Sequence, residues 1–384
     1  MSLKTAICKE DVLVMRTGCV AAVLTVMLGC EVVAQTVEEG RAPLIDGQLQ
    51  DVKRELSSLD RTPDGRIAVM QGRATARTIK LRLEHILGSN APSGVAVVVR
   101  DAANNEVVRY TAGKLAEERY VWTPEIKGRS ALVEVTESTT AGAEFRVLIA
   151  AIASHVPPSK PTLNIVRDFD LENIEYIRAN QPEIFVASRP VAKISFVSSK
   201  GPAACTGFMV SDDRMLTNYH CIGSDAICKS ADVIFGFNKS DSPLGDEMQK
   251  CLRLVDKDED LDAALIEVAG SPGKRWGSLA LSDAIPILKE PAVVVQHPAG
   301  FPKFVSRIDC VVSTMPAEGV KVGEESDFGH SCDTMDGSSG SPVLRRADLK
   351  VMGLHHWGFV DHGGKWSAEN RAVQIHFVKK RFGL

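Results

Sequence analysis

No cysteine stands between residues 31 and 204 of this 384-residue chain, so no disulfide staples that stretch. No C-x-x-C pair occurs anywhere, and a structural zinc site of the usual ligand spacing is therefore not expected. Aromatic residues make up only 5% of the chain, the formal charge is −4, and no basic run is interleaved with aromatics. Those absences exclude nucleic acid as an expected partner. The apolar run from Cys19 to Leu28 is too short to span a bilayer, so no stable membrane insertion is expected. No internal repeat is visible, and no motif calls for a cofactor or a metal.

What is present begins with an address. Met15-Arg16, the apolar run and the small residues Val32-Val33-Ala34 read as a secretory signal peptide over residues 1–34. Lys9, Glu10 and Asp11 fit that reading poorly, and Met15 is the more natural start. Six of the nine cysteines lie between Cys205 and Cys332, which points to three disulfides in an oxidising compartment. A secreted or periplasmic location is expected. Spacing alone leaves 15 pairings for six cysteines.

Residues 35–65 form a polar lead, with a short helical pattern at Leu49, Val52 and Leu56. Over 66–154 the period is two: Ile79, Leu81 and Leu83 alternate with charged residues, and Val95, Val97 and Val99 alternate again. Short strands separated by Asn104-Asn105, Ala112-Gly113 and Lys127-Gly128 predict a small antiparallel β-sandwich-like domain. Residues 155–183 act as a linker, opened by the stiff Val156-Pro157-Pro158 segment. Strand patterning returns over 184–384, closing with a helix expected from Ala372 to Phe382.

The chemistry centres on Gly337-Ser338-Ser339-Gly340-Ser341-Pro342. A serine between glycines ahead of an apolar strand can present a nucleophile, and Gly337 can turn its own N–H and that of Ser339 into one pocket. By itself such a string is equally a plain small-residue loop. A serine needs a histidine base and the histidine needs an acid. His220 ends the Leu216–His220 strand pattern beside Cys221; Asp262 directly abuts the apolar run Ala263–Ile266, ahead of Asp258 and Asp260 as alternatives. The order His220, Asp262, Ser339 is neither that of subtilisins nor that of α/β-hydrolases. Ser341 stands where a G-x-S-x-G elbow needs glycine.

Cys205-Thr206-Gly207, Leu216–Cys221, Asp262–Leu265, Gly337–Pro342 and His355-His356-Trp357-Gly358 together make residues 184–384 resemble a trypsin-like, chymotrypsin-fold serine protease of the bacterial group that includes the glutamyl and lysyl endopeptidases. The resemblance implies a mainly β fold of two six-stranded barrels with the cleft between them. It implies a secreted serine endopeptidase acting on protein or peptide as a monomer, with His220, Asp262 and Ser339 as triad and Gly337 and Ser339 as oxyanion hole. It also implies the pairing Cys205–Cys221, beside the histidine; Cys228–Cys251 and Cys310–Cys332 are then the local pairings of the other four, which the resemblance leaves open. Ser338 departs from the aspartate that animal digestive enzymes carry before the nucleophile, so activation by a freed amino terminus is not expected. Substrate-binding candidates are Asp333, Thr334, His355, His356, Trp357 and Gly358. Asp333 implies a Lys or Arg preference; Thr334 with His355 or His356 implies Glu. Two other readings stand beside this one: a non-catalytic exported binding protein on a protease scaffold, and a metal site built from His330, His355 and His356.

Overall fold

The computed structural model describes residues 43–60, 62–86, 91–136, 143–156, 163–166, 168–240, 248–360 and 367–384. The expected signal peptide lies outside the described residues. The architecture is mainly β, with a chymotrypsin-like double barrel preceded by a small two-sheet domain.

In the amino-terminal domain, one sheet runs Gly47–Ser57, Arg146–His155, Thr78–His85, Tyr120–Trp122; the other runs Ile67–Gln71, Ser130–Val135, Ala96–Asp101, Glu106–Thr111. The alternating residues read from sequence face inward. Ile79, Leu81 and Leu83 meet Val97, Val99 and Val133 across the sandwich, all fully buried. Each such side chain contributes roughly 1.5–3 kcal/mol. The helix expected at Leu49, Val52 and Leu56 is instead the strand Gly47–Ser57, paired along its length with Arg146–His155.

The two-sheet domain is locked to the first barrel. Leu44–Ile45 pairs with Ala203–Ala204 of the barrel strand Gly201–Met209. Lys80, fully buried, pairs with Asp232 at 2.9 Å, and Lys250 meets the same carboxylate at 2.8 Å. Burial pulls Lys80 down to about 8 against the attraction of Asp232. The Glu125 N–H donates to Asp232 at 2.8 Å.

The first barrel closes through the strand order Gly201–Met209, Val191–Ser198, Asp232–Ile234, Met248–Asp258, Ala263–Val268, Arg214–Thr217, and back to Gly201–Met209. The second sheet runs Glu172–Asn173, Phe304–Ser306, Ala292–Gln296, Pro342–Arg345, Val351–Val360, Ser367–Gln374, Asp327–His330, Val312–Ala317. A single bridge between Pro291 and Val311 brings its last strand back towards Ala292–Gln296. Phe208, Leu216 and Leu265 from the first barrel pack with Val293, Leu344 and Leu354 from the second. That shared core sets the two barrels face to face. The carboxy-terminal helix begins at Ile375, three residues later than expected, because the chain through Gln374 is still paired with Val351–Val360.

Candidate active site

The disulfides join Cys205 to Cys221, the pair that the resemblance implied, and the other four cysteines in their local pairs. Cys205–Cys221, Cys228–Cys251 and Cys310–Cys332 have Cα separations of 6.3, 5.3 and 4.2 Å. The first tethers His220 to the strand that carries Thr206. The Thr206 N–H in turn donates to the Ser339 carbonyl at 2.8 Å. The disulfide and this bond bring residues from the two barrels to one place.

His220 and Asp262 are joined twice. His220 Nδ1 lies 2.8 Å from Asp262 Oδ2, and the His220 backbone N–H donates to Oδ1 at 3.0 Å. Asn218 holds the Asp262 carbonyl at 2.8 Å. Asp262 is 2% exposed and sits at φ +46°, a strained conformation for a non-glycine residue. Burial disfavours its charge, but His220 and then His356 hold the carboxyl well below its ordinary range. The rival acids are engaged elsewhere: Asp258 caps Leu261 N–H and pairs with Arg381, and Asp260 faces Lys321. His220 Nε2, the nitrogen away from Asp262, is buried and has no partner among the described residues. Ser339 Oγ donates a long 3.5 Å bond to the His356 carbonyl rather than to His220.

The loop before Ser339 is braced from below. Gly337 has φ +90°, and a Cβ there would come within 3.0 Å of Gly300 N and His297 O, so only glycine fits. Thr206 Oγ1 donates to the Gly337 carbonyl at 2.9 Å. Ser338 Oγ donates to Gln296 Oε1, whose amide nitrogen donates to the Asp333 carbonyl at 2.8 Å. The N–H groups of Gly337 and Ser339 have no protein acceptor among the described residues. Ser338 thus makes a neutral internal bond where an ion pair to an amino terminus would otherwise form.

His356 is a residue whose part was not legible. It is fully buried between two carboxylates, with Nε2 2.7 Å from Asp327 and Nδ1 3.4 Å from Asp262. Burial opposes its charge; Asp327 and Asp262 outweigh burial and raise it to about 9. Asp327 carried no motif that marked it. Because the folded value is raised from 6.5 to about 9, this stabilisation is complete below about pH 6.5 and is lost as pH rises through about 9. The denaturation midpoint is expected to fall across that window, by up to about 3 kcal/mol in free energy. His356→Asn should flatten this alkaline limb, and parallel pH profiles for both proteins would contradict the assignment.

The remaining candidates scatter. Asp333 is buried, and its two oxygens accept the Val166 and Asp170 N–H groups, each at 2.9 Å. Burial, followed by the charge of Asp333, raises Asp170 to about 7. Thr334 is buried with its Oγ1 unpartnered. His355 Nδ1 lies 3.2 Å from His330 Nε2, and burial pushes both imidazoles below their ordinary value. Trp357 packs edge-on to His356. Gly358 faces Asn370 and Asn164 closely, where no Cβ would fit. His330, His355 and His356 do not converge as metal ligands: two bind each other and the third binds carboxylates. Among the described residues, the one group of potential ligands with donor atoms within 4.8 Å is Cys205, His220 and Cys221, and both sulfurs are already in the disulfide.

Residues 205–354 match the family model described as a trypsin-like peptidase domain. Two curated relatives match part of the chain. Secreted RxLR effector protein 73 of Plasmopara viticola is 29% identical over 185 residues, covering 45% of this chain and 46% of that protein. The uncharacterized protein y4fB of Sinorhizobium fredii is 27% identical over 221 residues, covering 52% of this chain and 31% of that protein. The chain thus spans less than half the length of either relative. Among solved structures, a Glu endopeptidase is 16% identical with TM-score 0.42, covering 57% of this chain and 98% of its own. The active form of the Rv3671c protease of M. tuberculosis is 17% identical with TM-score 0.40, covering 59% of this chain and 91% of its own. No helix among the described residues is long and apolar enough to cross a membrane. The match to the trypsin-like peptidase domain model thus runs from Cys205 to Leu354, across strands of both barrels, and takes in His220, Asp262 and the Ser339 loop.

Proposed function

We propose that this chain is an exported serine endopeptidase in which His220 deprotonates Ser339 for attack on a peptide carbonyl. The observation that carries the reading is the doubly bonded Asp262–His220 couple, with His220 Nε2 unpartnered and the Gly337 and Ser339 N–H groups unoccupied on the serine loop. Ser339 Oγ rotates from the His356 carbonyl to His220 Nε2 when substrate binds; catalytic hydrogen bonds are often loose in the free enzyme. Asp262 holds the His220 tautomer, the two N–H groups hold the oxyanion, an acyl-enzyme forms, and water releases it. One chain supplies every group, so a monomer suffices. Three disulfides support export, as does the name of the Plasmopara viticola relative, a secreted effector. The two-sheet domain stays attached in this reading, since its removal would break the buried Lys80–Asp232 pair and the Glu125 N–H bond to the same carboxylate. A fluorophosphonate should label Ser339 at one equivalent per chain. Absence of labelling would favour the non-catalytic binding protein, the reading that the Ser339–His356 bond favours.

Acidic specificity fits the first substrate side chain better than basic specificity. Asp333 spends both oxygens on the Val166 and Asp170 N–H groups, so it is already engaged where a Lys or Arg side chain would need it. Thr334 Oγ1 has no partner, and a substrate carboxylate would give it one. Peptides differing only in Glu, Lys or Arg should show kcat/KM for Glu ahead by about tenfold or more, and Thr334→Val should erase about tenfold of that lead. Faster cleavage after Lys would reverse the assignment.

A further inference from the structure

A cavity of about 360 Å³ lies where the two-sheet domain meets the first barrel. Its walls come from both domains and from the Ala299–Gly300 turn. On the other side of that turn sits the serine loop: the Ala299 N–H donates to the Asp336 carbonyl at 2.6 Å. The cavity is therefore separate from the triad, and nothing in the proposed hydrolysis uses it.

Its chemistry is unusual for a buried junction. Glu125 is 5% exposed; Thr78 donates to its Oε1, while its Oε2 is buried with no partner among the described residues. Lys193 is 8% exposed and has no carboxylate within ion-pair distance among the described residues; its ammonium lies 5.6 Å from the centre of the Phe237 ring. Asp46 and His155, also on the lining, already meet each other at 2.9 Å. Burial disfavours the Glu125 charge, but Lys193 first and then His155 bring it down to about 2, so it stays ionised. Ile234, Phe237 and Phe301 supply an apolar wall, and the exposed Arg77 and Lys127 stand at the lining's edge.

Leaving the Glu125 oxygen buried without a partner, and the nearby Lys193 ammonium with no carboxylate in ion-pair reach among the described residues, costs free energy that a suitable ligand would recover. A simple anion would meet Glu125, and a simple cation would meet Lys193; each would be repelled by one of the two groups. A ligand bearing both charges a bond or two apart satisfies both. The apolar wall asks for a hydrocarbon or aromatic body, and the volume is that of a small-molecule site. We infer that this interdomain cavity binds a free α-amino acid with an apolar side chain, its ammonium on Glu125, its carboxylate on Lys193 and its side chain against Phe237.

The inference does not depend on catalysis and is tested by calorimetric titration of the full chain with L-phenylalanine, on wild type and on the Ser339→Ala protein alike. Saturable binding is expected in both. N-acetyl-L-phenylalanine, which lacks the ammonium, and phenethylamine, which lacks the carboxylate, should each bind about tenfold more weakly. Glu125→Gln should weaken L-phenylalanine by about tenfold yet leave the N-acetyl compound unchanged. Lys193→Met should do the same for L-phenylalanine and leave phenethylamine unchanged. No saturable binding of L-phenylalanine to wild type overturns the inference, as does equal binding of all three compounds. The analogue series on wild type decides the matter even where a variant does not fold.

Discussion

Replacing Ser339 with alanine is expected to lower kcat for peptide hydrolysis by about 10⁶-fold, with KM changed little. The size follows from what Ser339 Oγ alone supplies, the atom that forms the acyl bond. The fold should survive the change. Ser339 Oγ makes only a 3.5 Å bond to the His356 carbonyl, and the backbone bond from Thr206 N–H to the Ser339 carbonyl does not involve the side chain. The thermal midpoint should therefore stay close to wild type while activity and fluorophosphonate labelling both vanish. Single-turnover kinetics beside a melting curve make the comparison, and peptidase activity that persists in the variant would remove Ser339 from the mechanism.

Asp262→Asn should cost about 10⁴-fold in kcat. Both Asp262 oxygens accept from His220, one from the ring at 2.8 Å and one from the backbone N–H at 3.0 Å. An asparagine must put an NH₂ on one of them. If it faces the ring, the His220 proton moves to Nε2, and the nitrogen that should accept the Ser339 proton no longer can. If it faces the backbone N–H, two donors collide. This variant should also lose stability, because His356 keeps only Asp327 as a buried counter-charge. The two effects separate by measurement: kcat falls at every pH, whereas the loss of stability grows where His356 would be charged, below about pH 9. A kcat within tenfold of wild type would mean that another group orients His220.

The helix read at Leu49, Val52 and Leu56 shows how local patterning misleads. Positions 52 and 56 share a face in a helix and in a strand alike, so they do not discriminate. Leu49, the residue that would have discriminated, is 42% exposed. Pairing with Arg146–His155 satisfies the backbone of Gly47–Ser57, and that partner lies almost 100 residues away. Asp333 failed differently. Its distance from Ser339 was legible, but its occupation by Val166 and Asp170 was not, because those N–H groups reach it across 167 and 163 residues of chain.

The sequence by itself determined the chemistry that is written locally: which residues serve as base, acid and nucleophile candidates, that glycine must stand at 337, and that a β chain rich in cysteine begins near residue 184. Each depends on residue type and near neighbours, which a linear pattern records. Only the tertiary structure decided the rest: that His356 lies between Asp262 and Asp327, that Gln296 braces the serine loop, and that Glu125 and Lys193 face one cavity without meeting. Those facts depend on how two barrels and a sandwich dock. Docking is set by the summed fit of many buried apolar side chains, which no short run of sequence encodes.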